Sequence, residues 1–170
     1  IIMTICVDDF AIFTNDENWI NNFEQKFNKI YTINREPDFE WFLGIRLTWN
    51  QDKTAVRLDQ PNDLHKALTF YNMVDCGMGR LPLATNFDNS PVEEENLYTG
   101  HDFSYPGIIG RLLWIARQTR PDISLAVTLL ASFNTKHSNY HVKAAKQVFS
   151  YLKRTKDYGL VIRKDPDRKS

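Results

Sequence analysis

Ile1-Ile2-Met3-Thr4-Ile5-Cys6-Val7-Asp8-Asp9-Phe10-Ala11-Ile12-Phe13 opens the chain, and its reading decides how the rest is understood. Two apolar, β-prone runs flank a two-residue polar break, which predicts paired strands joined by a hairpin turn at Asp8-Asp9. Tight hairpin turns favour Asn-Gly or Asp-Gly, because they need positive φ. Adjacent aspartates repel each other and are poorer turn formers. Two readings follow. One is an exposed turn that tolerates the repulsion. The other is a site for a hard divalent cation, whose charge cancels it and which prefers carboxylate oxygens.

Outward from the hairpin, Thr14 to Glu17 has the spacing of a capping box. Trp19, Phe23, Phe27 and Ile30 recur at helical intervals, predicting an amphipathic helix to about Lys29 whose aromatic stripe is core. Lys29 to Asn34 is expected as a short strand, broken by Pro37. Glu40 to Asn50 alternates, with Trp41, Leu43, Ile45, Leu47 and Trp49 on one face, and so predicts a strand. Gly44 interrupts it and marks either a bulge or a place where another backbone comes close. A turn at Asn50 to Lys53 returns the chain through Thr54 to Leu58, and Pro61 then suits the first turn of a helix over 62–73. Residues 75–102 hold Gly77, Gly79, Pro82, Pro91, Gly100 and Glu93-Glu94-Glu95, and are expected as a linker containing a domain boundary. Helical patterns follow over 105–119, 122–133 and 138–155, then a strand over 158–163 and a polar, disordered tail from Asp165 to Ser170.

At 170 residues the chain can bury a real core, as one domain or two small ones. No stretch reaches membrane-spanning length, and the apolar start lacks a basic leader and cleavage site. Cys6 and Cys76 are the only cysteines, so a disulfide framework is not expected and a reducing compartment is. Net charge is zero but unevenly spread. From Lys136 onward there are ten Lys/Arg against three Asp/Glu, and before it eleven against eighteen. The basic third is a candidate for nucleic acid, with Lys143, Lys146, Lys153, Arg154 and Lys156 foremost; the alternative is a solvated helix face. His137 and His141 are spaced as metal ligands, but no third ligand stands nearby, so zinc is not expected.

Four motifs, in order, resemble the reverse transcriptase of copia-type retrotransposons. Cys6-Val7-Asp8-Asp9 resembles the palm active-site hairpin, with cysteine where the family has an aromatic residue. Phe42-Leu43-Gly44-Ile45 resembles the primer grip. Tyr105 to Ala116 followed by Thr119-Arg120-Pro121-Asp122-Ile123 resembles the region after the thumb, as does His141 to Lys146 with Tyr151 to Leu160 behind it. The resemblance implies an α+β chain divided into a partial palm (1–60), a thumb-like helix (61–74), a linker (75–102) and a helical connection region (103–170). It implies Mg2+, or Mn2+, at Asp8 and Asp9, with Asp8 the principal ligand. Phe42, Leu43 and Gly44 would lie against the primer. The partners implied are RNA template, DNA primer, dNTP and the remainder of a polyprotein, with no membrane, in a cytoplasmic particle. The family's third aspartate, on an earlier strand, and its fingers are not in this sequence. The expectation is therefore a polymerase fragment inactive alone; the alternative is a non-catalytic nucleic-acid-binding or assembly relic.

Overall fold

The computed structural model describes residues 1–36, 39–100 and 104–164. Among the described residues it is α+β, with antiparallel strands and five α-helices, and it divides into two compact units, 1–43 and 44–170. The tail from Asp165 lies outside the described residues.

In the first unit β1 (Ile2–Cys6) and β2 (Asp9–Phe13) pair antiparallel, from Ile2 opposite Phe13 to Cys6 opposite Asp9. The turn is therefore Val7-Asp8, one residue earlier than the polar pair suggested. Asp9 already belongs to β2. Helix α1 (Glu17–Phe27) starts at Asp16, whose side chain accepts a hydrogen bond from the Trp19 N–H at 3.1 Å. Thr14 supports this cap by accepting from the Asp16 N–H, rather than forming a capping box with Glu17. The aromatic stripe packs as expected. Trp19 stacks on Phe23 and Phe23 on Phe27, both at 5.3 Å, and Phe10 of β2 meets Phe23 and Phe27 edge-on. The strand expected over 29–34 is absent. Ile30 and Tyr31 both donate to the Phe27 carbonyl, and Ile33 donates to the Asn28 side chain, so these amides are satisfied locally and not in a ladder. The unit ends with β3 (Trp41–Phe42).

The expected continuous strand over 40–50 is broken. Leu43 and Gly44 have φ of 51° and 78°, both left-handed, and so make a turn. In the second unit β4 (Ile45–Trp49) pairs with β5 (Ala55–Asp59), and β5 with β6 (Leu160–Arg163), all antiparallel. Helix α2 (Pro61–Phe70) leaves β5 directly, with proline in its first turn. Helices α3 (Tyr105–Gln118), α4 (Ser124–Ala131) and α5 (Asn139–Arg154) match the expected helical patterns, and a 3-10 turn at Pro121–Ile123 leads into α4. Their apolar faces meet in one core that includes Leu64, Leu68, Ile108, Leu112, Ile115, Val127, Leu130, Val148, Phe149 and Leu152.

Residues 75–100 are largely irregular, as expected of a loop, and lie within the second compact unit. Cys76, Leu83, Phe87, Val92 and Tyr98 pack against the helical core. The Gly79 N–H donates to the Ser150 carbonyl, and the Tyr98 N–H to the His137 carbonyl. The division between the compact units falls at Leu43 and Gly44. β6 also ties the far end of the chain to β5, a pairing of distant segments that no local pattern announces.

Candidate functional site

The hairpin presents its aspartates to solvent. Asp8 and Asp9 are both exposed, and Cys6 beside them is half-buried. Val7, 89% exposed, holds φ at 54°, where a β-branched residue is strained. The two-residue connection forces this conformation, and Asp8 is thereby carried at the tip while Asp9 is fixed by its pairing with Cys6. Hard oxygen donors suit Mg2+ or Mn2+, but two carboxylates fill only part of an octahedral shell. Among the described residues no group of three or more His, Cys, Asp or Glu side chains is placed to hold a metal. The donor type fits such an ion, and the donor number does not complete its site.

Phe42 is half-buried, while Leu43 and Gly44 are exposed. Gly44 is explained by its positive φ. A Cβ built there would meet the Asp63 carboxylate only at ordinary contact distance, 3.6 Å.

The five cations proposed for phosphate contact are not equivalent. Lys153 is half-buried and donates from Nζ to the Cys76 carbonyl at 2.6 Å. Between Lys146 and Lys153, Ser150 receives the Gly79 N–H, and Gln147 donates to the Leu81 carbonyl. The loop over 76–81 therefore covers the middle of the stripe. Lys143 is exposed and Lys146 half-buried, and both line a cleft beside that loop; Arg154 and Lys156 are exposed.

Several buried polar groups lie outside the residues expected to form the site. Arg120, 4% exposed, makes two bonds to the Asp122 carboxylate at 2.9 and 2.8 Å, and two more to the Thr155 carbonyl and hydroxyl. The Tyr151 hydroxyl donates to the same carboxylate, and the rings of Tyr151 and Tyr158 each lie 5.6 Å from the guanidinium. Burial pushes the Asp122 carboxyl up, but hydrogen bonds from Arg120 and Tyr151 outweigh it and hold the group below its ordinary value. Asp59, 2% exposed, is held by Arg46 and Arg57 at 2.9 Å each. Asp63 accepts from the Trp114 indole N–H at 2.9 Å and from Gln60 at 3.3 Å. His141 is buried in the capping box of α5, where its Nδ1 takes the Ser138 N–H. The quoted motif Thr119-Arg120-Pro121-Asp122 was the available signal for the Arg120 cluster; nothing local pointed to its partners on α5.

The chain is 29% identical over 168 residues to the retrovirus-related Pol polyprotein from transposon RE1 of Arabidopsis thaliana, covering 96% of this chain and 11% of the relative. It is 24% identical over 159 residues to the corresponding polyprotein from transposon TNT 1-94 of Nicotiana tabacum, covering 91% of this chain and 12% of the relative. A putative transposon Ty5-1 protein of Saccharomyces cerevisiae is 25% identical over 164 residues, 96% of this chain and 52% of that protein. The chain is thus homologous, over nearly all its length, to Pol polyproteins of copia-type transposons. It spans about a tenth of the length of the curated polyproteins it matches. No family model matches it, and no solved structure does. Among the described residues, no helix is long and apolar enough to cross a membrane.

Proposed function

We propose that this chain is the part of a copia-type reverse transcriptase that carries the active-site hairpin, with two-metal nucleotidyl transfer as the activity of the whole polymerase. In this reading β1, β2 and α1 belong to the palm, α2 is the thumb-like helix, and α3 to α5 form the connection region. The supporting observation is the coverage of 96% of the chain by Pol polyproteins, taken with two adjacent exposed carboxylates on a strained hairpin tip. Asp8, at the tip, supplies the principal metal-binding oxygens, and Asp9 the secondary ones. Bound Mg2+ would activate the primer 3′-hydroxyl and neutralise the dNTP triphosphate. The chain's own contribution is positional: β-pairing fixes Asp9, the Val7 turn fixes Asp8, and the exposed Leu43-Gly44 turn offers a low surface to a primer sugar-phosphate strand. Substrate phosphates, water and residues outside this chain complete the coordination.

One observation favours a second reading for the chain on its own. Its described residues do not complete a metal site. A non-catalytic nucleic-acid-binding or assembly relic would fit that.

Titration of the isotopically labelled chain with Mn2+ tests the hairpin assignment. Paramagnetic broadening should centre on Cys6 to Phe10, with affinity on the order of millimolar or weaker, since water fills most of the shell. It should vanish in a chain carrying Asp8→Asn and Asp9→Asn. Broadening centred elsewhere, or micromolar affinity, would contradict the assignment.

A further inference from the structure

Two histidines meet the loop over 87–98 at its two ends. The Tyr98 N–H donates to the His137 carbonyl at 2.8 Å, and the Tyr98 ring lies against the His137 imidazole at 5.7 Å. Phe87 meets the His141 imidazole edge-on at 5.9 Å and stacks on Tyr140 at 5.4 Å, while the Asp88 N–H donates to the Tyr140 hydroxyl. From the core side, Tyr105 stacks on His137 at 4.2 Å, and the Phe133 ring is 3.9 Å from that of His141. Each imidazole has one nitrogen that is buried and, among the described residues, lacks a hydrogen-bond partner: Nδ1 of His137 and Nε2 of His141. His141 Nδ1 accepts the Ser138 N–H, so the proton of the neutral ring sits on the enclosed Nε2. A second proton must go to Nδ1, where it cancels that acceptor and with it half of the α5 capping box. His137 is bonded to the Phe133 backbone, and its second proton lands on the partnerless Nδ1. Neither ring can become charged in place with its N–H groups satisfied.

We propose that His137 and His141 form an acid-released latch, which fastens residues 87–98 to the helical core while both rings are neutral and frees that segment, with the helices still packed, when they take up protons. The charges around the latch favour the same direction. Asp88, Glu93 and Glu95 line a cleft of about 630 Å³ with His141, and Glu94 pairs with Lys136, the sequence neighbour of His137, at 3.8 Å. The phenols of Tyr98, Tyr105 and Tyr140 are the other titratable groups against the two rings. The hydroxyl and N–H of Ser90 hold the Asp88 carboxyl below its ordinary value, so it stays charged as pH falls. An imidazolium released by opening gains water and these carboxylates, whereas in the closed state burial opposes its charge. The earlier half of the loop is fastened without histidine: Gly79 donates to the Ser150 carbonyl, Lys153 to the Cys76 carbonyl and Gln147 to the Leu81 carbonyl. Opening is therefore confined to the later half. The inference does not draw on the polymerase reading or on the hairpin.

The test is amide hydrogen exchange of the full chain, followed by NMR between about pH 7 and 5 and corrected for the intrinsic pH dependence of exchange. The opening constant at the Tyr98 amide should rise on acidification. Its logarithm should steepen below the ordinary histidine value of 6.5 toward about 2 per pH unit, because opening takes up two protons. The amides of Gly79 and of α3 should stay better protected than Tyr98 throughout, which separates release of the segment from loss of the whole fold. His137→Phe and His141→Asn should each reduce the slope to about 1, and His65→Gln, on α2, should leave it alone. Circular dichroism of each variant verifies its fold. The parent chain gives a check that needs no substitution: imidazole carbon shifts should report both rings neutral below pH 6.5 for as long as the segment is closed. The proposal is overturned if opening at Tyr98 is flat with pH, or if Tyr98, Gly79 and α3 open together with one constant. It is equally overturned if both folded histidine variants keep the parent slope, or if the two imidazoles become charged at their ordinary value with the segment closed.

Discussion

Arg120 shows how much a single side chain can fasten. Standing just after α3, its guanidinium ties the turn before α4 to the C-terminal end of α5, with the rings of Tyr151 and Tyr158 each 5.6 Å away. Removing one partner of a buried pair strands the rest, so Arg120→Ala should cost about 3 kcal/mol of unfolding free energy in urea titration. Tyr151→Phe should cost about 1 kcal/mol, one hydrogen bond. Equal stability of Arg120→Ala and the parent would remove this account of the motif. Gly159 acts by what it lacks. A Cβ there would collide with the Leu58 carbonyl oxygen of β5, so Gly159→Ala should cost about 2 kcal/mol by forcing β6 away. A thermal midpoint unchanged by that substitution would contradict this close approach of β6 to β5. The motif letters around both residues were visible in the sequence as a family signature. Their physical reason was not, because each partner is supplied by a segment far away in the chain.

At the scale of elements, periodicity carried the helices well. The apolar spacing over 105–155 survives tertiary packing because those faces form the core itself. Strand readings fared less evenly. Alternation over 40–50 ignored the left-handed pair Leu43-Gly44, and the hairpin turn fell on Val7, a residue no turn preference would choose. The first turn of α5 and the residue just before its cap also carry a pH dependence that the sequence did not reveal. Burial lowers the proton affinity of His137, which stacks on Tyr105 at 4.2 Å. Burial likewise lowers that of His141, the charge of His137 adding to it and Asp88 opposing it. Both imidazoles are therefore favoured neutral in the folded chain. Their stabilisation is complete above the ordinary histidine value of 6.5 and is lost as pH falls below it, through the depressed folded values. The thermal midpoint should accordingly fall on acidification from about pH 7 to 5. A variant with His137→Phe and His141→Asn should show a flatter profile over that range; an equally steep one would locate the acid sensitivity elsewhere.

For the molecule as a whole, α+β character, the order of elements and the kinship to transposon polyproteins were legible from residues alone. The four ordered motifs span most of the chain, and the relatives cover 96% of it. The anchoring of the loop was not legible, because residues 75–100 look like a linker by composition yet are pinned by backbone bonds to His137 and Ser150. The central claim is that Asp8 and Asp9 are polymerase active-site carboxylates. It is tested most directly by grafting this chain, in register, in place of the matching segment of a related Pol polyprotein whose polymerase activity is measured in the same assay. Primer extension on poly-rA/oligo-dT with Mg2+ or Mn2+ is the readout. The account predicts incorporation by the graft and its loss by at least about 100-fold on Asp8→Asn, with the isolated chain inactive. Incorporation undiminished in the graft carrying Asp8→Asn and Asp9→Asn would contradict it.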